Sequence, residues 1–159
     1  MQSYPYVIYI HSILRYFILL FAVIVVIQSL AGMMGKKKFL KTNRIIALFL
    51  LICCDIQLLL GLFLYYFKII GPGVLKSGTV MTDTANRFWA VEHSVSMVIA
   101  IILVHVGYTF TKRNMDDDRK FKRLFWCIFI AMGIFFAMIP WEGKQVVGRP
   151  NMPTLHTGS

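Results

Sequence analysis

The chain has 159 residues, of which 58% are hydrophobic and only 15% are charged, and its mean hydropathy is +0.68. A water-soluble domain of this length needs more polar surface than this composition supplies, so a lipid bilayer is the expected solvent. The three cysteines form neither a CxxC nor a CxxCH motif, which excludes a c-type haem attachment site.

Four apolar runs follow one another along the chain, at about residues 7–30, 45–67, 88–110 and 124–141. Crossing a hydrocarbon core of ~30 Å takes ~20 helical residues, so each run can span a bilayer, the fourth with little spare length. The sequence therefore predicts an all-α fold, a four-transmembrane-helix bundle within residues 1–141. Residues 142–159 are predicted to form an extended outer C-terminal tail.

The positions of the basic residues predict the orientation of this bundle. Most Lys and Arg residues lie in the first and third connections between the runs, namely Lys36, Lys37, Lys38, Lys41, Arg44, Lys112, Arg113, Arg119, Lys120, Lys122 and Arg123. Because cytoplasmic loops are enriched in Lys and Arg, we expect both termini on the outer, periplasmic side, together with the 71–87 loop. The formal charge of +10 is then explained by topology and by attraction to anionic lipid, and no nucleic-acid partner is expected.

Two histidines inside the apolar runs are the strongest candidate site residues, because ionisable groups are costly in hydrocarbon. His11 follows the start of the first run, and His93 follows the start of the third. At ~1.5 Å per helical residue, both lie about 6 to 8 Å below the outer boundary. Two imidazoles at one depth on two helices can bind one haem iron from both faces. We therefore predict that His11 and His93 ligate a single haem b near the outer face.

Three further residues are expected at this haem site. Gly61 reaches the histidine level on the second run and has no side chain where a flat porphyrin would pass. Arg87 is the expected partner of a haem propionate, because guanidinium binds carboxylates bidentately. Arg15, one turn below His11, either binds a propionate or pairs in mid-bilayer with Asp55, and the ion pair is the favoured interpretation.

Two other ionisable residues have less definite predicted roles. Glu92 can orient His93 or His11, help to bind a quinol hydroxyl, or simply be hydrated. His105 has no second histidine at its depth within the apolar runs, so a second haem is not expected there. A hydrogen-bonding or interfacial role is predicted for His105 instead.

Several short motifs resemble those of a family of small bacterial four-helix membrane proteins described as cytochrome b-like. They are the runs 11–16 (HSILRY), 57–65 (QLLLGLFLY), 87–93 (RFWAVEH), Lys122-Arg123 and 139–141 (IPW). The resemblance covers about residues 7–141 and implies b-type haem and membrane redox function, with His11 and His93 at the ligand positions. The chain is more weakly similar to bacterial four-helix haem-binding protoporphyrinogen oxidases, which also have an early His followed by an Arg, but it departs from their longer first-helix pattern.

The leading hypothesis is a single-haem cytochrome b, multi-pass in the bacterial inner membrane, acting as an electron-transfer or anchor subunit of a larger complex. Its expected partners are other membrane subunits, lipid, and a quinone or a periplasmic electron carrier. Two alternatives stay open. One is a haem-dependent membrane oxidase acting on a porphyrinogen or a quinol, and the other is a structural accessory subunit without redox function.

Overall fold

Four long helices form the protein in a computed structural model that describes residues 5–149. They are α1 (Pro5–Met34), α2 (Lys41–Ile70), α3 (Thr84–Lys112) and α4 (Asp117–Met138), and each is long and apolar enough to cross a membrane. The described part of the chain contains no β-strand. The predicted all-α fold with four potential membrane spans is confirmed, in agreement with a multi-pass membrane protein.

The helix ends differ from the limits of the apolar runs, because polar residues at the ends continue the helices. The clearest case is α4, which starts at Asp117 and ends at Met138, whereas the fourth run covers 124–141. Asp117 and Asp118 occupy the first turn, where negative charge is favourable next to the positive end of the helix dipole. Ile139 has an extended backbone, as expected of a residue that precedes a proline, and the helix stops there.

Small residues allow the four helices to approach one another. One alanine on each helix is at most 2% exposed in the core, namely Ala22, Ala47, Ala100 and Ala131. Each helix packs on two neighbours: α1 contacts α2 and α4, and α3 contacts the same two helices. The outward faces are apolar as well, since Ile27, Leu59 and Ile102 are each more than half exposed. An apolar exterior of this kind suits hydrocarbon rather than water.

The two basic connections lie at the same end of the bundle. Arg44, at the start of α2, donates a hydrogen bond from Nη2 to the backbone carbonyl of Thr111 near the end of α3, at 2.7 Å. The ammonium of Lys120 lies 5.9 Å from the ring of Phe39, which joins the first connection to the start of α4. The clustering of positive charge is therefore a property of the fold, and the cytoplasmic location of this end stays a prediction.

The opposite end of the bundle contains two π-helical turns, Tyr66–Ile70 at the end of α2 and Phe88–Glu92 near the start of α3. π-Helical turns often occur at functional sites. The hydroxyl of Tyr65 donates to the carbonyl of Ala90 at 3.1 Å and joins the two helices at this level. The connection between them contains a 3₁₀ turn, Val74–Lys76, and the helical turn Thr84–Arg87 then begins α3.

The segment after α4 differs from the predicted extended tail. Residues 142–147 form consecutive turns, residues 142–149 fold back on the bundle, and Val147 is only 8% exposed. The backbone N–H of Arg149 donates to the carbonyl of Pro140 at 3.1 Å. We call residues 139–149 the C-terminal turn segment. The rest of the predicted tail lies outside the described residues.

Candidate functional site

A cavity of about 450 Å³ lies at the end of the bundle that carries the π-helical turns. All four helices and the C-terminal turn segment contribute to its walls. Its volume falls in the range of ~300–1,000 Å³ that is typical of small-molecule and cofactor sites. The polar side chains that decide its chemistry are His11, Arg15, Gln57, Lys68, His93 and Arg149.

His93 presents one defined ring nitrogen for ligand binding. Its Nδ1 lies 3.0 Å from the carbonyl oxygen of Met138 on α4. A carbonyl oxygen only accepts hydrogen bonds, so Nδ1 carries the proton and the neutral ring has its lone pair on Nε2. The rings of Phe88 and Trp89 lie against the imidazole, with centroids 5.7 and 5.5 Å away. These contacts fix both the tautomer and the orientation of the ring.

His11 lines the same cavity from α1, and its ring nitrogen Nδ1 is inaccessible and has no hydrogen-bond partner among the described residues. An unpartnered buried polar atom is unusual in proteins and calls for an explanation, such as an ordered water or a functional role. The ring packs directly beside Gly61, because a Cβ atom at this glycine would lie 3.5 Å from Cε1 of His11.

Gln57 is a cavity residue that the sequence analysis missed. Its Nε2 donates to the backbone carbonyl of His11 at 2.9 Å, which joins α2 to α1. Its Oε1 is buried and has no hydrogen-bond partner within residues 5–149. Gln57 lies one turn before Gly61 on α2, and residues four apart share a helix face, so the sequence contained a signal for its position.

Arg15 lines the cavity one turn from His11 and is only 8% exposed. It donates from Nη2 to the hydroxyl of Tyr16 at 3.0 Å, and its guanidinium lies 6.0 Å from the ring of Trp141.

The predicted ion pair between Arg15 and Asp55 is wrong. Asp55 lies outside the cavity and pairs with Nε2 of His105 at 2.8 Å, because the two residues predicted to pair share a depth but face different sides of the bundle. His105 therefore has the predicted hydrogen-bonding role.

Arg87 does not line the cavity, so the geometry lends no support to its predicted role as a propionate partner. It donates from Nε to Oε1 of Glu92 at 2.7 Å. The two residues are five apart, and the intervening π-helical turn, with its i→i+5 hydrogen bonds, brings such residues into line. This ion pair also occupies Glu92, which makes no hydrogen bond to His11 or His93 within residues 5–149.

Two other cations line the cavity in the place that the prediction gave to Arg87. They are Lys68 at the end of α2 and Arg149 in the C-terminal turn segment. Neither cation forms an ion pair with an acidic residue within the described residues 5–149. The guanidinium of Arg149 lies 4.5 Å from the ring of Trp89, and burial lowers the pKa of Arg149. An anionic group in the cavity would stabilise both charges.

Among the described residues, no group of three or more His, Cys, Asp or Glu side chains is arranged to hold a metal ion. Axial ligation of a haem uses only two protein ligands, so this observation does not bear on the haem hypothesis. Comparisons with protein-family models, with curated proteins and with solved structures found no match for this chain.

Proposed function

We propose that the protein is a membrane b-type cytochrome that holds one haem b between His11 and His93. The observation that carries this proposal is that two imidazoles from different helices line one cavity. The lone pair of His93 is on Nε2. On His11 the ligand atom would also be Nε2, because Nδ1 is inaccessible. Neutral imidazoles are the usual axial ligands of a b-type haem, so the donor set fits this cofactor.

The walls of the cavity suit a flat apolar macrocycle. Leu58, Met97, Ile101 and Phe135 contribute apolar surface from three helices. Gly61 leaves the space beside the His11 ring without a side chain. A larger residue there would occupy volume next to the proposed ligand.

The charges of the cavity suit the carboxylates of such a cofactor. Lys68 and Arg149 line it without an acidic partner in the described chain. Guanidinium and ammonium groups form charge-assisted hydrogen bonds with carboxylates, and these are about twice as strong as neutral ones. We therefore assign propionate binding to Lys68 and Arg149 instead of Arg87, with Arg15 close to the His11 side.

Bound haem supplies one-electron transfer. The use of both imidazoles as ligands would leave no open coordination position on the iron, which favours electron transfer over oxidase chemistry. The cavity lies at the end opposite the basic connections, an end that the positive-inside rule assigns to the outer side. We therefore propose an electron-transfer or anchor subunit in the bacterial inner membrane, served by a quinone or a periplasmic carrier and by other membrane subunits.

The test is the absorption spectrum of the chain produced with an adequate supply of haem and purified in detergent. We expect a Soret band, a sharp α band after reduction and a low-spin electron paramagnetic resonance signal. His11→Ala and His93→Ala should each remove the low-spin signal. His105→Ala is the matched control, because His105 is also a helix histidine but lies outside the cavity, and its spectrum should match that of the wild type.

A wild-type protein that is folded and haem-free under these conditions would contradict the proposal. Retention of the low-spin signal in both ligand variants would contradict the assignment of the ligands. Helicity measured by circular dichroism separates a loss of haem from a loss of fold in each variant.

A further inference from the structure

An ionisable pair lies on the outside of the four-helix bundle, near the middle of α2. Nε2 of His105 on α3 is 2.8 Å from Oδ1 of Asp55 on α2, and the side chains are 47% and 43% exposed. Neither residue lines the cavity, so their exposed parts face the surroundings of the bundle. Asp55 is close to the middle of α2, which runs from Lys41 to Ile70.

Such a position is unfavourable for a chain that is alone in lipid. Charged and polar side chains within membrane spans almost always face the bundle interior, a water-filled cavity or another polar group. The surface around the pair is apolar, with Ile52, Ile56 and Leu59 exposed on α2 and Ile102 on α3. The exposed half of the pair therefore requires a partner that is both apolar and able to form hydrogen bonds.

Each member of the pair has one atom left for such a partner. Oδ2 of Asp55 and Nδ1 of His105 have no hydrogen bond within residues 5–149. In an electrically neutral pair, the proton of this hydrogen bond is bonded either to Nε2 of His105 or to Oδ1 of Asp55. In either case Nδ1 keeps its hydrogen, and Oδ2 is an acceptor.

We propose that this face binds a second copy of the same chain. Across a two-fold axis, His105 of each copy donates from Nδ1 to Oδ2 of Asp55 in the other, so one patch provides both the donor and the acceptor. The four side chains then form a closed ring of hydrogen bonds, surrounded by the apolar side chains of α2 and α3. Interhelical hydrogen bonds of this kind stabilise helix association in membranes. This inference does not depend on the haem proposal.

Self-association of the full chain in lipid vesicles tests the proposal, measured by energy transfer between separately labelled copies. The wild type should associate, and D55L/H105L should dissociate about tenfold more readily, because it loses both hydrogen bonds while it keeps an apolar surface. The exchanged variant D55H/H105D keeps the same donor and acceptor in the pair and should associate like the wild type. Ile27→Ala, an exposed position on α1, is the control and should have no effect.

Cross-linking locates the face. In a variant whose native cysteines are replaced by alanine, Leu59→Cys should form a disulfide-linked dimer, and Ile27→Cys should not. A monomeric wild type, an unchanged association of D55L/H105L, or equal cross-linking at both positions would overturn the proposal. A monomeric wild type would leave a different membrane protein as the occupant of this face.

Discussion

The imidazole of His93 forms a hydrogen bond with a backbone carbonyl at the end of α4 that has no donor within the helix. Nδ1 of His93 lies 3.0 Å from the carbonyl oxygen of Met138, the last residue of α4. The last four carbonyls of a helix have no intrahelical donor, and here Pro140 prevents the helix from continuing. The end of α4 thus fixes the tautomer of a side chain on α3, and the proposed ligand atom of His93 follows from it.

Arg149→Ala is expected to weaken haem binding by roughly tenfold, because it removes a charge-assisted contact to a carboxylate. The measurement is haem affinity by titration of the haem-free protein. Arg87→Ala is the matched control, since Arg87 pairs with Glu92 outside the cavity. A larger loss of haem affinity for Arg87→Ala than for Arg149→Ala would show that Arg87 binds the propionate, as the sequence predicted.

These two arginines show which part of the site could be predicted from the sequence. Residue counting gives depth along a helix, and it correctly indicated that His11, Gly61 and His93 belong to the same end of the bundle. It gave no information about a π-helical turn, which brings Arg87 and Glu92 together. Nor did it indicate that residues 142–149 fold back and bring Arg149 to the cavity.

The error about Asp55 has a different physical origin. A depth argument ignores rotation around the helix axis, and each helical residue turns the chain by about 100°. At this rotation Asp55 points about 160° away from Gln57 and about 120° away from Gly61 around the axis of α2. Once Gly61 was assigned to the haem side, the same periodicity already placed Asp55 on another face. The fold itself was predictable, because the length of an apolar run is a local property of the chain.

Gly61→Leu is expected to abolish most haem binding, because its side chain would occupy the cavity beside the His11 ring. Gly133→Leu is the matched control, since nothing lies within 4 Å of a Cβ atom at that helical glycine. Both variants should retain wild-type helicity by circular dichroism, and only Gly61→Leu should lose the Soret band. Equal haem content in the two variants would show that the cofactor does not pass Gly61.

The topology prediction is tested with single cysteines and a membrane-impermeant maleimide on intact cells. Ser77→Cys, in the exposed connection between α2 and α3, should react from outside. Lys37→Cys, in the exposed first basic connection, should react only after the membrane is made permeable. This difference follows from the enrichment of Lys and Arg on the cytoplasmic side. The opposite labelling pattern would place the cavity near the inner face and exclude a periplasmic electron carrier.

Gly32→Ala is expected to lower the free energy of unfolding by about 1–3 kcal/mol through overpacking. A Cβ atom at Gly32 would lie 2.5 to 2.6 Å from three ring carbons of Phe121. That ring cannot move easily, because Phe121 is 2% exposed and the ring of Phe39 packs on it with centroids 4.8 Å apart.

A double-mutant cycle in detergent, measured by denaturant-induced loss of helicity, isolates this contact. Phe121→Leu makes room for the added methyl group, so Gly32→Ala should cost less in that background, with a coupling energy of about 0.5–3 kcal/mol. Gly133→Ala is the control for the change in helix propensity alone, because its site is open. Additive effects of Gly32→Ala and Phe121→Leu would show that the close approach of α1 and α4 does not depend on this glycine.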